Sequence, residues 1–187
     1  MLKDYLKQGV RIEGLFDLIS KGQDAFDGSW SYEHHLTSRN LIKFFADDSG
    51  QNPIRVLPYK RGENASTPMA GGEVISGEFT GCIMGIYKGR GIATVNHVDT
   101  EKNGDGEMPQ KEAWLKLKKT SGFELFNECS TLGLIPAFIR GIKDKKLMKY
   151  GTGIVILCVA SPTKYYSITK AAVFRDSEHN YKVLKIL

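Results

Sequence analysis

Cys82 and His97 are the two residues of this chain whose types and spacing could carry out nucleophilic chemistry. An imidazole that accepts the proton of a neighbouring thiol leaves a thiolate, which is the reactive form of cysteine. Such a pair attacks carbonyl carbon atoms and forms a thioester, so it can serve amidases, proteases and acyl transferases. This chemistry requires a fold that brings the two side chains within reach of each other.

The residues between Cys82 and His97 predict a β-hairpin. Two runs of apolar and β-branched residues are separated by residues 88–91, Lys-Gly-Arg-Gly, which are typical of a turn. Antiparallel pairing of position 82 with position 97 would centre the turn between Gly89 and Arg90. We therefore expect the thiol and the imidazole to lie opposite each other on neighbouring strands.

Two consequences for reactivity follow from this hairpin. The imidazole of His97 should lower the pKa of the Cys82 thiol by stabilising the thiolate. Gly81 has no side chain, so a substrate carbonyl could approach the backbone there. The N–H groups near Cys82 could then form an oxyanion hole for a tetrahedral intermediate.

The same stretch resembles a known catalytic signature. Residues 76–82, Ser-Gly-Glu-Phe-Thr-Gly-Cys, followed by His97 in His-Val-Asp-Thr, are similar to the signature of the cytotoxic necrotizing factor deamidase domains and of the more compact Burkholderia lethal factor. That family usually has Leu-Ser where this chain has Phe79 and Thr80, and both replacements keep an apolar residue and a hydroxyl. The resemblance implies that Cys82 is the nucleophile and His97 the base of a protein glutamine deamidase.

A third group should orient the imidazole of His97. The resemblance implies a backbone carbonyl from a neighbouring strand, which we assign to Val56 or its neighbours. Among side chains, Asp99 at i+2 faces the same way as His97, whereas Asn96 would point to the opposite face. Thr80 is predicted either to support the oxyanion or to cap the turn.

The resemblance also implies a biological setting. The family's known targets are Rho-type GTPases and a translation initiation helicase, so the implied partner is a host regulatory protein of the GTPase or translation factor class. The implied protein is a bacterial toxin or effector that acts in the host cytoplasm. The N-terminal residues 1–7 carry charges where a secretory h-region should be, so we expect no cleavable signal peptide. The longest apolar run, residues 154–160, is too short to span a membrane.

Size and charge set looser bounds on function. The 187 residues suit one catalytic domain, residues 1–187, which we expect to be a monomer. Lys and Arg exceed Asp and Glu by 26 − 21 = 5, which is compatible with an acidic protein partner, a membrane surface or nucleic acid. Basic clusters at residues 111–119 and 140–150 accompany no nucleic-acid motif, so the sequence favours solvated surfaces over nucleic-acid binding.

No cofactor or metal is predicted. The three cysteines include no C-x-x-C pair, so neither a disulfide framework nor a zinc site is indicated, and reducing surroundings are expected. Cys158, inside an apolar run, should be inert core. Adjacent residues His34 and His35 would face opposite sides of a strand. The acidic loop at residues 99–109 does not place its carboxylates at the positions of an EF-hand.

The periodicity of the chain predicts an α+β fold. We expect eight to ten short strands that form a β-sandwich or bent mixed sheet, with flanking helices; the resemblance is what suggests the sandwich. Residues 124–129 are predicted to form a short helix, and residues 134–140 a strand. Two other functions remain open at this level: a cysteine protease or acyl transferase using the same pair, and a non-enzymatic basic binding domain in which Cys82 is buried.

Overall fold

The computed structural model describes residues 1–20, 30–35, 40–47, 49–89, 91–141, 153–163 and 165–187. Strands dominate these residues, and few helices accompany them. The helices are Leu2–Tyr5 (α1), Leu15–Ser20 (α2), Pro109–Leu117 (α3) and Leu134–Gly141 (α4). The strands are Arg11–Glu13 (β1), Trp30–His35 (β2), Leu41–Phe45 (β3), Asn52–Leu57 (β4), Asn64–Pro68 (β5), Val74–Phe79 (β6), Ile83–Gly89 (β7), Ile92–Val98 (β8), Glu124–Ser130 (β9), Ile154–Ser161 (β10), Ser167–Arg175 (β11) and Tyr181–Ile186 (β12).

Eight strands form a closed barrel in the order β1-β12-β11-β10-β6-β4-β2-β3. The barrel closes because β1 pairs with β3 in parallel as well as with β12 in antiparallel orientation. Alternate residues of each strand point inward and fill the barrel with apolar side chains, among them Ile12, Val56, Ile75 and Leu157.

A four-stranded sheet, in the order β5-β8-β7-β9, packs on the outside of this barrel. Its inner face carries Met84, Ile86 and Val95, which pack against outward-facing barrel residues such as Leu57 and Ile156. Its outer face is covered by Trp114 of α3, whose indole N–H donates to Glu128 at 2.6 Å. The space between barrel and second sheet is therefore a second apolar core, and the candidate site lies in it.

The α+β class with a bent mixed sheet is confirmed. The described residues contain twelve strands, more than the eight to ten expected, and most of them close into a barrel. None of the helices in the described ranges is long and apolar enough to cross a bilayer. Of the basic cluster at residues 140–150, only Arg140 and Gly141 belong to the described residues.

Two local predictions are wrong. Residues 124–129 belong to strand β9, because pairing with β7 over the length of the strand outweighs the helical character of the sequence. Residues 134–140 belong to helix α4, where Ile135, Phe138 and Ile139 recur at helical spacing and pack on Ile154 and Leu184. In both cases the surrounding structure decided between two patterns that the local sequence allowed.

Candidate active site

The structure places Cys82 directly before β7 and His97 within β8, on the inner face of the second sheet. The expected register is wrong by two residues, because Met84, not Cys82, lies opposite His97. The last pair of the hairpin is Gly89 with Ile92, so the turn is centred one residue later than predicted. Since side chains alternate with a period of two, this shift keeps Cys82 and His97 on the same face as diagonal neighbours.

The imidazole of His97 is held between two aromatic rings and one hydroxyl. Phe79 stacks on it with ring centroids 3.9 Å apart, and the ring of Tyr59 lies 5.3 Å away on a tilt. Its Nδ1 lies 2.9 Å from Oγ of Ser76. This Ser76 hydroxyl belongs to barrel strand β6, so the contact joins the two sheets.

The hydrogen bonds around Ser76 fix the tautomer of His97. The Ser76 hydroxyl donates its single proton to the backbone carbonyl of Leu57 at 2.7 Å. The oxygen of Ser76 must therefore accept from Nδ1, which carries the proton of the neutral ring. Nε2 is left with a free lone pair, and in the described part of the chain it is buried without a hydrogen-bond partner. His97 thus presents an unprotonated nitrogen that can act as a base.

Nδ1 of His97 contacts the hydroxyl of Ser76, where the resemblance implies a backbone carbonyl of Val56 or its neighbours. The Val56 side chain points into the barrel core, away from His97, and Nδ1 bonds to Ser76 instead. The neighbouring residue Leu57 enters indirectly, because its carbonyl accepts the proton of Ser76. Nδ1 of His97 is therefore linked to the carbonyl of Leu57, a neighbour of Val56, only through Ser76, and the carbonyl of Val56 itself is not its partner. Sequence analysis included Ser76 in the signature but gave it no role.

A β-bulge in β6 lets two of its residues contact the same imidazole. Ser76 and Phe79 are an odd number of positions apart, so in a regular strand they would face opposite sides. The pairing of β6 with β10 shifts register between Phe79 and Ser76, and Glu78 adopts a positive φ of 57°. The extra residue turns both side chains toward His97. Glu78 is held in this conformation by Arg175 at 2.6 Å and by the hydroxyl of Tyr181 at 3.0 Å.

Cys82 is fixed by its backbone and faces a carboxylate. Its carbonyl accepts from the N–H and the hydroxyl of Thr131, at 3.0 and 2.9 Å. Its Sγ lies 3.9 Å from Oδ1 of Asp99, a long contact for a thiol donor. Asp99 thus faces the same way as His97, as predicted, but its measured contact is with the sulfur.

The expected resting thiolate–imidazolium pair does not form. Burial raises the pKa of the Cys82 thiol to about 11, although hydrogen bonds from Thr100 oppose that increase. Burial also lowers the pKa of His97 to about 3. With 5% and 1% of their surfaces exposed, both groups are neutral, and Nε2 makes no hydrogen bond to the sulfur.

Thr80 and Gly81 form the link between β6 and β7. Thr80 is exposed, and its two predicted roles, oxyanion support and turn capping, stay predictions. Gly81 is half-buried, and a Cβ there would meet only Thr100 and Leu132, at ordinary contact distances of 3.6 and 3.7 Å. A methyl group would therefore fit beside the backbone at Gly81 without overlap with these two residues.

The segment of residues 59–63 packs over the other side of the site. Tyr59 contacts the imidazole, and the N–H of Gly62 donates to Oδ2 of Asp99 at 2.6 Å. Arg61 forms an ion pair with Glu101, Nε to Oε2, at 2.6 Å. Burial raises the pKa of the Tyr59 hydroxyl, and the nearby Asp99 carboxylate raises it further. These contacts tie the segment to the end of β8.

The other two thiols lie elsewhere in the second core. Cys158 is fully buried, as predicted, and shares a hydrogen bond with Cys129 of β9. That bond lowers the pKa of Cys129, whereas burial raises the pKa of Cys158. All three cysteines are free. Within the described residues, no three His, Cys, Asp or Glu side chains are grouped so that they could hold a metal ion.

Comparison with known proteins identifies no family for this arrangement. No protein-family model matches the chain, and no characterised protein matches it either. The functional interpretation therefore depends on the geometry above and on the short signature at residues 76–97.

Proposed function

We propose that this protein is a glutamine deamidase in which Cys82 is the nucleophile and His97 the base. One observation carries the proposal: Nε2 of His97 is unprotonated and has no hydrogen-bond partner among the described residues, and it belongs to the residue diagonally across the hairpin from Cys82. A buried ring nitrogen without a partner is costly for a folded protein and needs an explanation. A proton delivered by a thiol during catalysis provides one.

The proposed reaction begins with attack of Sγ of Cys82 on the side-chain carboxamide carbon of a glutamine. As the S–C bond forms, the thiol proton passes to Nε2 of His97, and the carbonyl oxygen takes up the negative charge. Backbone N–H groups at Gly81 and Cys82 are the proposed donors to that oxygen. His97 then gives its proton to the departing nitrogen, which leaves as ammonia together with cleavage of the C–N bond.

The second half of the reaction hydrolyses the thioester. A water molecule gives one proton to Nε2 of His97 and its oxygen attacks the thioester carbon. Cleavage of the C–S bond passes the proton from His97 to the sulfur of Cys82 and releases a carboxylic acid, which loses its proton to water and becomes glutamate. The substrate protein gains one negative charge, which on a switch surface can block a conformational cycle. By resemblance, the proposed substrate is a host protein of the GTPase or translation factor class, reached by a secreted effector.

The burial of Cys82 favours a deamidase over a protease. Only 5% of its surface is exposed, and Gly81, which precedes it, is half-buried. A single long side chain such as glutamine can reach a buried sulfur through a narrow opening, whereas a protease must admit an extended backbone. Transfer of the acyl group to an amine in place of water is a side reaction of the same thioester.

Site-specific deamidation in a cell lysate tests this function. The lysate of a eukaryotic cell is incubated with the wild-type protein or with Cys82→Ser, and conversion of glutamine to glutamate is quantified by peptide mass spectrometry. We expect individual glutamines that gain about one dalton only with the wild type, because the substitution removes the nucleophile. If no glutamine distinguishes the two incubations, the proposed function is wrong.

A non-catalytic binding domain is the second candidate, and the near-complete burial of both residues favours it. In that case Cys82 is a small apolar core residue and His97 a packing residue between Phe79 and Tyr59. The two candidates differ in the accessibility of the thiol. In native protein, a deamidase should react with iodoacetamide at Cys82 in preference to Cys158, whereas a passive core should protect both equally.

A further inference from the structure

Asp99 carries a carboxylate that the proposed deamidation steps do not use. It is 2% exposed, and both of its oxygens are fixed in place. Oδ2 accepts from the N–H of Gly62 at 2.6 Å, and Oδ1 accepts from the N–H of Glu101 at 2.9 Å. Oδ1 is also the atom that lies 3.9 Å from Sγ of Cys82. A rigid, acceptor-only group therefore faces the place where a substrate would react.

Backbone N–H groups hold this carboxylate in place. On the neighbouring segment, Arg61 pairs with Glu101 and Lys60 pairs with Glu63. In the part of the chain that the structure describes, Asp99 takes part in no ion pair within 4.0 Å. Charge interactions are stronger in a buried site than in water, so a second anion placed beside the sulfur would be strongly repelled.

We propose that Asp99 makes the Cys82 site selective for an uncharged primary carboxamide and against a carboxylate. A carboxamide bound at the sulfur can donate an N–H to Oδ1 of Asp99, whereas a carboxylate offers only acceptors. The substrate and the product of a deamidase differ in this one respect, so the same residue promotes binding of glutamine and release of glutamate. The inference rests on the proposed function, because it takes Cys82 as the reacting atom.

Two alkylating reagents reproduce the substrate and product groups. Iodoacetamide carries a primary carboxamide and iodoacetate the corresponding carboxylate, and both react by forming an S–C bond while iodide leaves and the thiol proton is lost. The rates at Cys82 are measured by peptide mass spectrometry in the native protein. We expect the iodoacetamide-to-iodoacetate rate ratio to exceed that of N-acetylcysteine by about tenfold or more, because of repulsion by Asp99.

The variant Asp99→Asn should bring the ratio close to that of N-acetylcysteine, since the amide keeps an acceptor but loses the charge. Asp105→Asn, at an exposed position of the loop that follows, is the matched control and should leave the ratio unchanged. The proposal is wrong if Asp99→Asn and the wild type have the same ratio. It is also wrong if Cys82 of the wild type reacts with neither reagent while Cys129 reacts.

A wild-type measurement keeps the proposal testable if Asp99→Asn does not fold. The ratio at Cys82 is then compared with the ratio at N-acetylcysteine alone, and equal ratios overturn the proposal. Alkylation needs no turnover, so the outcome is separable from the deamidation experiment. A high iodoacetamide-to-iodoacetate rate ratio at Cys82 without any deamidation would refute the proposed function. The selectivity that Asp99 gives to the thiol site would still be supported.

Discussion

Ser76 and His97 face each other across the space between the barrel and the second sheet, with Oγ 2.9 Å from Nδ1. This contact is the structural basis of the proposed chemistry. Because Ser76 already donates to Leu57, it accepts from the imidazole and leaves Nε2 as the free base. The barrel therefore determines the protonation of a residue that belongs to the other sheet.

Replacing Ser76 with alanine should impair reactivity more than stability. The substitution removes the acceptor of Nδ1–H, so the ring can rotate or adopt the other tautomer. A positioned base typically accelerates a reaction by about 10²–10⁴-fold. We expect the rates of Cys82 alkylation and of deamidation to lose most of this acceleration.

Ser161→Ala is the matched control for that experiment. Ser161 is also fully buried, and its hydroxyl donates to Glu73 at 2.7 Å, outside the site. We expect each variant to lose about 1–3 kcal/mol of unfolding free energy in thermal or chemical denaturation, because each substitution leaves a buried hydrogen-bonding group without its partner. If both variants keep full reactivity at Cys82, Ser76 does not orient the base.

Gly77→Ala should disturb the bulge that aims Ser76 and Phe79 at His97. A Cβ at Gly77 would overlap Cδ2 of Leu157 and Cδ1 of Ile19 inside the barrel. We expect a loss of about 1–3 kcal/mol in the free energy of unfolding, as for other overpacked cores, together with lower reactivity of Cys82. Gly104→Ala, where a Cβ would meet nothing within 4 Å, should change neither quantity. Equal stability of the two variants would contradict this description of the bulge.

The buried His97 should make the protein sensitive to acid. Because its pKa is lowered from 6.5 to about 3, the unfolded chain binds a proton between these pH values that the folded chain does not. The free energy of unfolding therefore falls as the pH decreases through this window. His97→Phe keeps the ring packing but cannot take up this proton. We therefore expect its free energy of unfolding to decrease by up to ~4 kcal/mol less than that of the wild type over the same pH range.

The measurement is urea denaturation at several pH values between 3 and 7 for the wild type and His97→Phe. His35→Gln, at a histidine whose side chain is 45% exposed, is the control and should follow the wild type. If the free energies of unfolding of the wild type and His97→Phe depend on pH in the same way, His97 does not take up a proton on unfolding, and the prediction is wrong.

The segment of residues 59–63 should limit access to Cys82. Its ion pair between Arg61 and Glu101 is exposed, and such pairs are worth at most about 1 kcal/mol, or about a fivefold change in an opening equilibrium. Arg61→Ala should therefore raise the rate of Cys82 alkylation by up to about fivefold and lower the melting temperature by at most about 4 °C. Arg11→Ala, which removes an exposed arginine on the barrel, should leave the rate unchanged. The same rate in both variants would mean that access is controlled elsewhere.

The sequence contained enough information to place Cys82 and His97 on one face, but not enough to fix their register. Glycines on both sides of Arg90 allow the turn to be centred at either of two positions, and the two registers differ by an even number of residues. The even shift preserved the shared face and replaced the direct pairing with a diagonal one.

The role of Ser76 could not be predicted because it depends on the bulge at Gly77 and Glu78. Alternation alone places Ser76 and Phe79 on opposite faces, and only the observed pairing with β10 shows that one extra residue intervenes. The neutral state of Cys82 and His97 could not be predicted either, because it results from their burial, and their burial depends on how the barrel and the second sheet pack. Glu124–Ser130 became a strand for a related reason, because its partner β7 is distant in sequence.

The dependence of Cys82 on His97 is tested most directly by the rate of Cys82 alkylation by iodoacetamide as a function of pH, in the wild type and in His97→Phe. If Nε2 accepts the thiol proton, the wild type reacts about a hundredfold faster near neutral pH, and the two rates converge only where hydroxide removes the proton instead. Superimposable pH profiles of the two proteins would contradict the account, because they would show that the imidazole does not influence the reactivity of the thiol.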